Sequence, residues 1–302
     1  MFSHPFLFGM KRNDMLWKSI LEEIFDDFLK FFFPNAEALF DMDRGFEYLD
    51  QELEQLFPPE GNAIATRYVD KLVKVYCRSG AEAWLLVHIE VQGYRDETFP
   101  DRMFTYYYRI CDKYRKPITA IAILTDDCRH FLPGQFEQAC LGTSVCFRFN
   151  SYKVLEQSEE ELAASDNPFA QVILATKLAI KGSRFSSDEL YRLKIDLAKR
   201  LLKRNFSKRK VGRLMEFLKF YVSLEDDDLD REYLKEVQRL FNPEPIPMTW
   251  EETILYIVEE KGAEAAKTTV VQNLIRETNF TSEEIARLAD VSVEFVQKIK
   301  QK

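Results

Sequence analysis

The sequence predicts an α/β fold, helix, central sheet and helix, followed by a mainly helical C-terminal region. Three observations predict it. Two apolar, strand-like runs, one at 67–75 (RYVDKLVKV) and one within 83–99 (AWLLVHIEVQGYRDETF), flank a Ser-Gly turn in CRSGAE, the composition of a β-hairpin. The helix-like stretch 100–114 (PDRMFTYYYRICDKY) leads into ITAIAIL at 118–124, a short, continuous apolar run. Such a run after a helix is expected of an interior strand reached by a crossover. From Glu156 onward, the reading is almost all helix.

Taken in order, residues 14–33 form the first predicted helix, with Leu16, Ile20, Ile24, Phe28 and Phe31 at helical spacing and Pro34 as its stop. Glu22, Glu23, Asp26 and Asp27 fall on its less apolar side. A short helix is expected near Tyr48 to Leu56, between loops marked by Gly45, Pro58, Pro59 and Gly61. The hairpin follows, then a helix with Pro100 in its first turn. A β-like stretch at 144–152 closes this unit, giving a sheet-bearing domain over 1–155. Residues 156–245 read as a helical region with an acidic loop from Glu225 to Asp230, ended by Pro243, Pro245 and Pro247. Residues 246–302 read as a helical tail: a long helix from Trp250 to about Thr278, then a capping box from Thr281 to Glu284 and a helix-turn-helix-like end. That tail is acidic and has no basic recognition helix, so packing or homo-oligomerisation is expected of it rather than base readout.

Composition narrows the class. Hydrophobic residues at 46% and aromatics at 14% describe a globular chain. No apolar run has the length of a membrane span, and the N-terminus lacks the pattern of a secretion signal. Five cysteines without CxxC spacing and three histidines argue for reduced thiols in a cytoplasmic protein and against zinc. The net charge of −8 is uneven: Arg192 to Lys219 is strongly basic, with Asp196 and Glu216 its only acids. Such a stretch can meet a polyanion locally or simply form a solvated helical face.

The chemistry sits in the hairpin. Alternation along a strand puts His88, Glu90 and Gln92 on one side and Val87, Ile89 and Val91 on the other. A carboxylate and an amide emerging together from an apolar strand are costly to bury unless they bind something. Asp70 lies among the apolar residues of the preceding strand. Asp70 and Glu90 on adjacent strands, with a third polar group beside them, match the way oxygen ligands hold a divalent cation. Lys71 points away from Asp70, whereas Lys74 shares its face and is a candidate phosphate contact. His88 is expected to be a hydrogen-bonded core histidine rather than a ligand.

The run LVHIEVQGYRDETFPDRMFTYYYRI, with RYVDKLVKV before it and AIAILTDD after it, resembles the recombination-promoting nuclease (Rpn-type) transposase family of bacteria, within the PD-(D/E)xK nuclease superfamily. WKSILEEIFDDFLKFFFPNAEALF and SEEIARLADVSVEFVQKIK are also similar to parts of that family. The resemblance implies a restriction-endonuclease-like core in residues 1–155 and Mg²⁺-dependent cleavage of DNA, with Mn²⁺ as a substitute, linked to recombination or mobile-element activity. It implies Asp70 and Glu90 as metal ligands, Gln92 where the superfamily usually has lysine, and an acid from the first helix, Glu23 or else Glu22. Glutamine is neutral: it can orient water but supplies no cation. Expected DNA contacts are Lys74, Arg95 and Arg102 near the motif, and Lys208, Arg209 and Lys210 of the basic stretch. The competing expectation is a nuclease-like module that binds or assembles on DNA with little or no cleavage.

Overall fold

The computed structural model describes residues 5–51, 69–79, 84–224, 226–240, 267–268, 270–272, 274–276, 281–289 and 291–300, with side chains excepted at 5–12, 14, 69–70, 84–92 and 287. Two helices begin the described chain, α1 (Pro5–Glu23) and α2 (Phe25–Phe32). The single predicted helix is thus broken at Ile24, whose backbone (φ −124°, ψ 33°) leaves helical geometry. The break lets α2 begin anew, with Asp26 and Asp27 in its first turn, where the helix dipole favours acids. A one-turn helix, α3 (Ala36–Leu39), precedes β1 (Glu47–Tyr48), β2 (Val69–Tyr76) and β3 (Trp84–Gln92). The short helix expected from Tyr48 is corrected at its start: Tyr48 pairs with Val73 of β2, so sheet pairing overrides local preference. Residues 52–56 of that expectation lie outside the described residues.

The hairpin forms as read, β2 antiparallel to β3. Helix α4 (Phe99–Tyr114) then carries the chain over one face of the sheet to β4 (Ile118–Leu124), which pairs parallel to β3. Asp96 caps the entry to α4 by accepting the Thr98 amide at 2.9 Å and its hydroxyl at 2.7 Å. Beyond β4, the expected single stretch at 144–152 is two strands, β6 (Thr143–Arg148) and β7 (Asn150–Lys153), preceded by β5 (Gln135–Cys140). β5 and β6 form a separate ribbon whose turn has Leu141 at φ 45° and Gly142 at φ 87°, the left-handed pair that fits the twist of a two-residue hairpin. The five-stranded sheet has the order β1-β2-β3-β4-β7, with β7 parallel to β4.

The sheet is covered on both faces. Val73, Val75, Ile121 and Ile123 pack in one cluster with Ile20 of α1, Phe28 of α2 and Ile24 between them. On the other face, Ala120, Ala122 and Leu124 lie against Phe99 and Met103 of α4, and Leu72 against its Tyr106 and Ile110. Small alanines let the helix sit close to the strands.

Helices α5 (Glu159–Ala164), α6 (Pro168–Lys181), α7 (Ser187–Lys203), α8 (Lys208–Tyr221) and α9 (Asp227–Arg239) follow. Ser158, Asn167, Ser186 and Ser207 cap the first four through their side chains. The expected acidic loop is corrected: Asp226 caps α9, and Asp227, Asp228 and Asp230 form its first turn. The helices share the cluster of the sheet, crossing residue 155, with Trp17 edge-on to Phe217 at 5.5 Å and Phe28 edge-on to Phe169 at 5.1 Å. In the tail, α10 (Ser282–Leu288) starts with the expected capping box at Thr281 and Glu284, and α11 (Val293–Lys300) follows; Val271, Ile285 and Val296 form a separate small cluster. Most of the long helix expected from Trp250 lies outside the described residues. Among the described residues, no helix is long and apolar enough to cross a membrane.

Candidate active site at the carboxyl ends of the parallel strands

The β2–β3 ladder sets Asp70 directly opposite Glu90. Facing residues of an antiparallel pair share a side of the sheet, with Cβ atoms about 4.5–5.5 Å apart. Gln92 lies two residues on, at the end of β3, beside Leu124 of β4. Because β2 runs antiparallel, its first residues meet the last residues of β3, so all three motif positions gather at one end of the sheet and on the α4 face. Mg²⁺ takes hard oxygen ligands, one or two carboxylates together with several waters. The side chains of Asp70, His88, Glu90 and Gln92 lie outside the described residues. Among the described residues, no three acids, histidines or cysteines gather as a metal site.

Lys71, next to Asp70, turns to the opposite face as alternation requires, and is 1% exposed. Its ammonium donates to Asp50 Oδ2 at 2.5 Å and, more closely, to Glu22. Asp50 is brought there by an extension of the β1–β2 ladder, in which the Leu49 amide donates to the Leu72 carbonyl at 2.7 Å. Tyr48 closes this group, its hydroxyl donating to the Glu22 carbonyl at 3.0 Å and its ring 5.0 Å from the Lys71 ammonium. Burial first, then the surrounding acids, pushes the Tyr48 phenol up. Of the two first-helix candidates, Glu22 is therefore linked to the motif strand. Glu23 instead accepts from Arg209 Nε at 2.7 Å.

Two residues of the basic stretch, Arg209 and Lys210, meet acids of the first helices. Lys210 reaches Asp26 at 3.0 Å and Asp27 at 2.5 Å, so Arg209 and Lys210 tie α8 to the first helices, while Lys208 is exposed. Burial, with Asp26 beside it, raises the Asp27 carboxyl above its ordinary value despite the Lys210 bond. A folded-state value above the unfolded one means that the ionised form costs stability, and the cost is incurred as pH rises through that window. Asp27→Asn should therefore gain melting temperature relative to wild type on going from about pH 4 to pH 7. Melts at both pH values check this; an equal difference at each contradicts it.

Lys74 pairs with Glu47, its cross-strand partner, at 2.8 Å and lies 5.0 Å from the Tyr76 ring. The Lys74 bond, with help from Tyr76, holds the Glu47 carboxyl low. Arg95 is exposed and bonds Glu97 through Nε at 2.7 Å. Arg102 pairs with Asp96 at 2.7 Å over the Phe99 ring. Burial works against ionised Asp96, but the Thr98 and Arg102 bonds outweigh it and its carboxyl falls below the usual range.

Two residues outside the candidate set, one of them not singled out by the sequence reading, meet at the same end of the sheet. Asp126, just past β4, and Lys153, at the end of β7, form a buried pair at 2.6 Å. The acid ending an apolar run reads as a cap, and only the parallel β4–β7 register brings the lysine to it. No family model, curated protein or solved structure matches the chain.

Proposed function

We propose that the chain is a Mg²⁺-dependent DNA endonuclease with a restriction-endonuclease-like core, tied to recombination as its resemblance implies. The observation that supports this reading most is the register of Asp70 against Glu90, with Gln92 two residues on, at one end of a mixed sheet layered between helices. Asp70 and Glu90 would hold Mg²⁺ or Mn²⁺, which when bound polarises a phosphate and makes hydroxide available near neutral pH. Gln92 would orient a water or a phosphate oxygen by hydrogen bonding. Glu22, bonded to Lys71 on the opposite face of the sheet, would act on the site only through the motif strand. Lys208 would meet the DNA backbone, with Lys74, Arg95, Arg102, Arg209 and Lys210 doing so only by leaving their acidic partners.

Binding of Mn²⁺ followed by electron paramagnetic resonance tests the ligand assignment. Glu90→Gln keeps the shape of the side chain and should weaken affinity by about tenfold or more. Equal affinity in variant and wild type removes Glu90 from the ligand set and favours the non-cleaving DNA-binding module.

A further inference from the structure

Strands β3, β4 and β7 run parallel, so their carboxyl ends lie side by side. By register, Gln92, Leu124 and Lys153 form one row across the sheet. Lys153 thus stands two strands from Gln92, about 10 Å at ordinary strand spacing. Asp126 Oδ1 accepts both the Lys153 ammonium at 2.6 Å and the Cys128 amide at 2.9 Å. Asp126 Oδ2 is buried with no hydrogen-bond donor.

As core packing this arrangement is poor. Apolar residues of similar volume commonly stabilise as well as a buried ion pair or better, and an open buried acceptor adds a desolvation cost. Its location gives it another use. Asp126 follows Thr125, whose Oγ1 lies 3.7 Å from where a Cβ on Gly93 would stand, and Gly93 directly follows Gln92. The buried pair thus fixes a turn that neighbours the strand end carrying the motif positions.

We propose that Lys153 is a positioning residue of the cleavage site, acting through Asp126 and the Thr125 turn on the strand end bearing Gln92. This rests on the nuclease reading. Lys153 balances Asp126, a third carboxylate at strand ends that already carry Asp70 and Glu90, and so holds the turn after β4 without adding negative charge there. Both side chains are buried, so the effect falls on the rate of cleavage rather than on DNA affinity.

The test is the double variant Asp126→Leu/Lys153→Met, which replaces the pair by apolar side chains, measured beside wild type and Asp70→Ala. Melting, DNA affinity in EDTA by fluorescence anisotropy, and metal-dependent plasmid nicking are read for each. The double variant should melt at or above wild type, bind DNA within about twofold of it, and nick with kcat at least about tenfold lower and KM little changed. Wild-type kcat in the folded double variant overturns the proposal and leaves the nuclease reading standing. A loss of DNA affinity larger than the loss of kcat also overturns it. If wild type nicks no faster than Asp70→Ala, the nuclease reading falls and the proposal with it. Should the double variant fail to fold, Asp126→Asn decides: about fivefold lower kcat at unchanged DNA affinity is expected, and unchanged kcat overturns the proposal.

Discussion

Asp70→Ala and Glu90→Ala should each lose metal-dependent nicking by at least about a hundredfold while remaining folded. Both halves of that expectation come from the register. The two acids face each other directly across an antiparallel pair, and like charges so placed destabilise the ladder. Removing one relieves repulsion, so each variant should melt at or above the wild-type temperature. If the acids instead hold a metal together, the same removal leaves one carboxylate where two are needed, and activity goes. Differential scanning calorimetry without metal, paired with plasmid nicking in Mg²⁺, reads both. A variant that melts far below wild type would mean that its carboxylate serves the fold, and would remove it from the site.

Lys153→Met should destabilise the protein by about 3–5 kcal/mol, well beyond the loss from Lys71→Met. Both lysines are buried and both bond acids, but what each would leave behind differs. Asp126 is 1% exposed at its side chain, so without Lys153 its charge stays in the interior with no cation and only the Cys128 amide bonded to it. Lys71 would leave Glu22, 50% exposed, and Asp50, 29% exposed, both able to turn to water. Solvent screening discounts the second loss accordingly. Urea unfolding of the two single variants measures the difference, and equal losses would contradict it. Asp126→Leu added to Lys153→Met should recover most of the stability, because the stranded charge disappears.

The elements whose apolar pattern is strong were legible in the sequence. ITAIAIL became an interior strand since all but its first two residues are buried, and the apolar run before Gly93 became β3, paired antiparallel to β2. β5 was not legible: five of its six residues are exposed, so it has no buried face to generate alternation. Tyr48 was misread because its strand is only two residues long and exists through pairing with β2. The acids of 226–230 resembled a loop by composition, yet they suit a helix N-terminus equally well.

For the candidate site, the positions of Asp70, Glu90 and Gln92 along the strands were readable, but the neighbours that surround them were not. Asp50 reaches Lys71 through a ladder extension, Glu22 through the packing of α1, and Lys153 reaches Asp126 across 27 residues of sequence. Local composition carries no trace of such contacts. The basic stretch shows the same limit: its charge suggested a polyanion, whereas Arg209 and Lys210 are engaged by Glu23, Asp26 and Asp27.

The most direct test of the central claim is nicking of supercoiled plasmid by the purified full chain in Mg²⁺, Mn²⁺, Ca²⁺ or EDTA, with Asp70→Ala prepared identically as the background. Nicking in Mg²⁺ and Mn²⁺, absent in EDTA and absent in the variant, is the predicted result. Equal nicking by wild type and variant, or none in any metal, would contradict it.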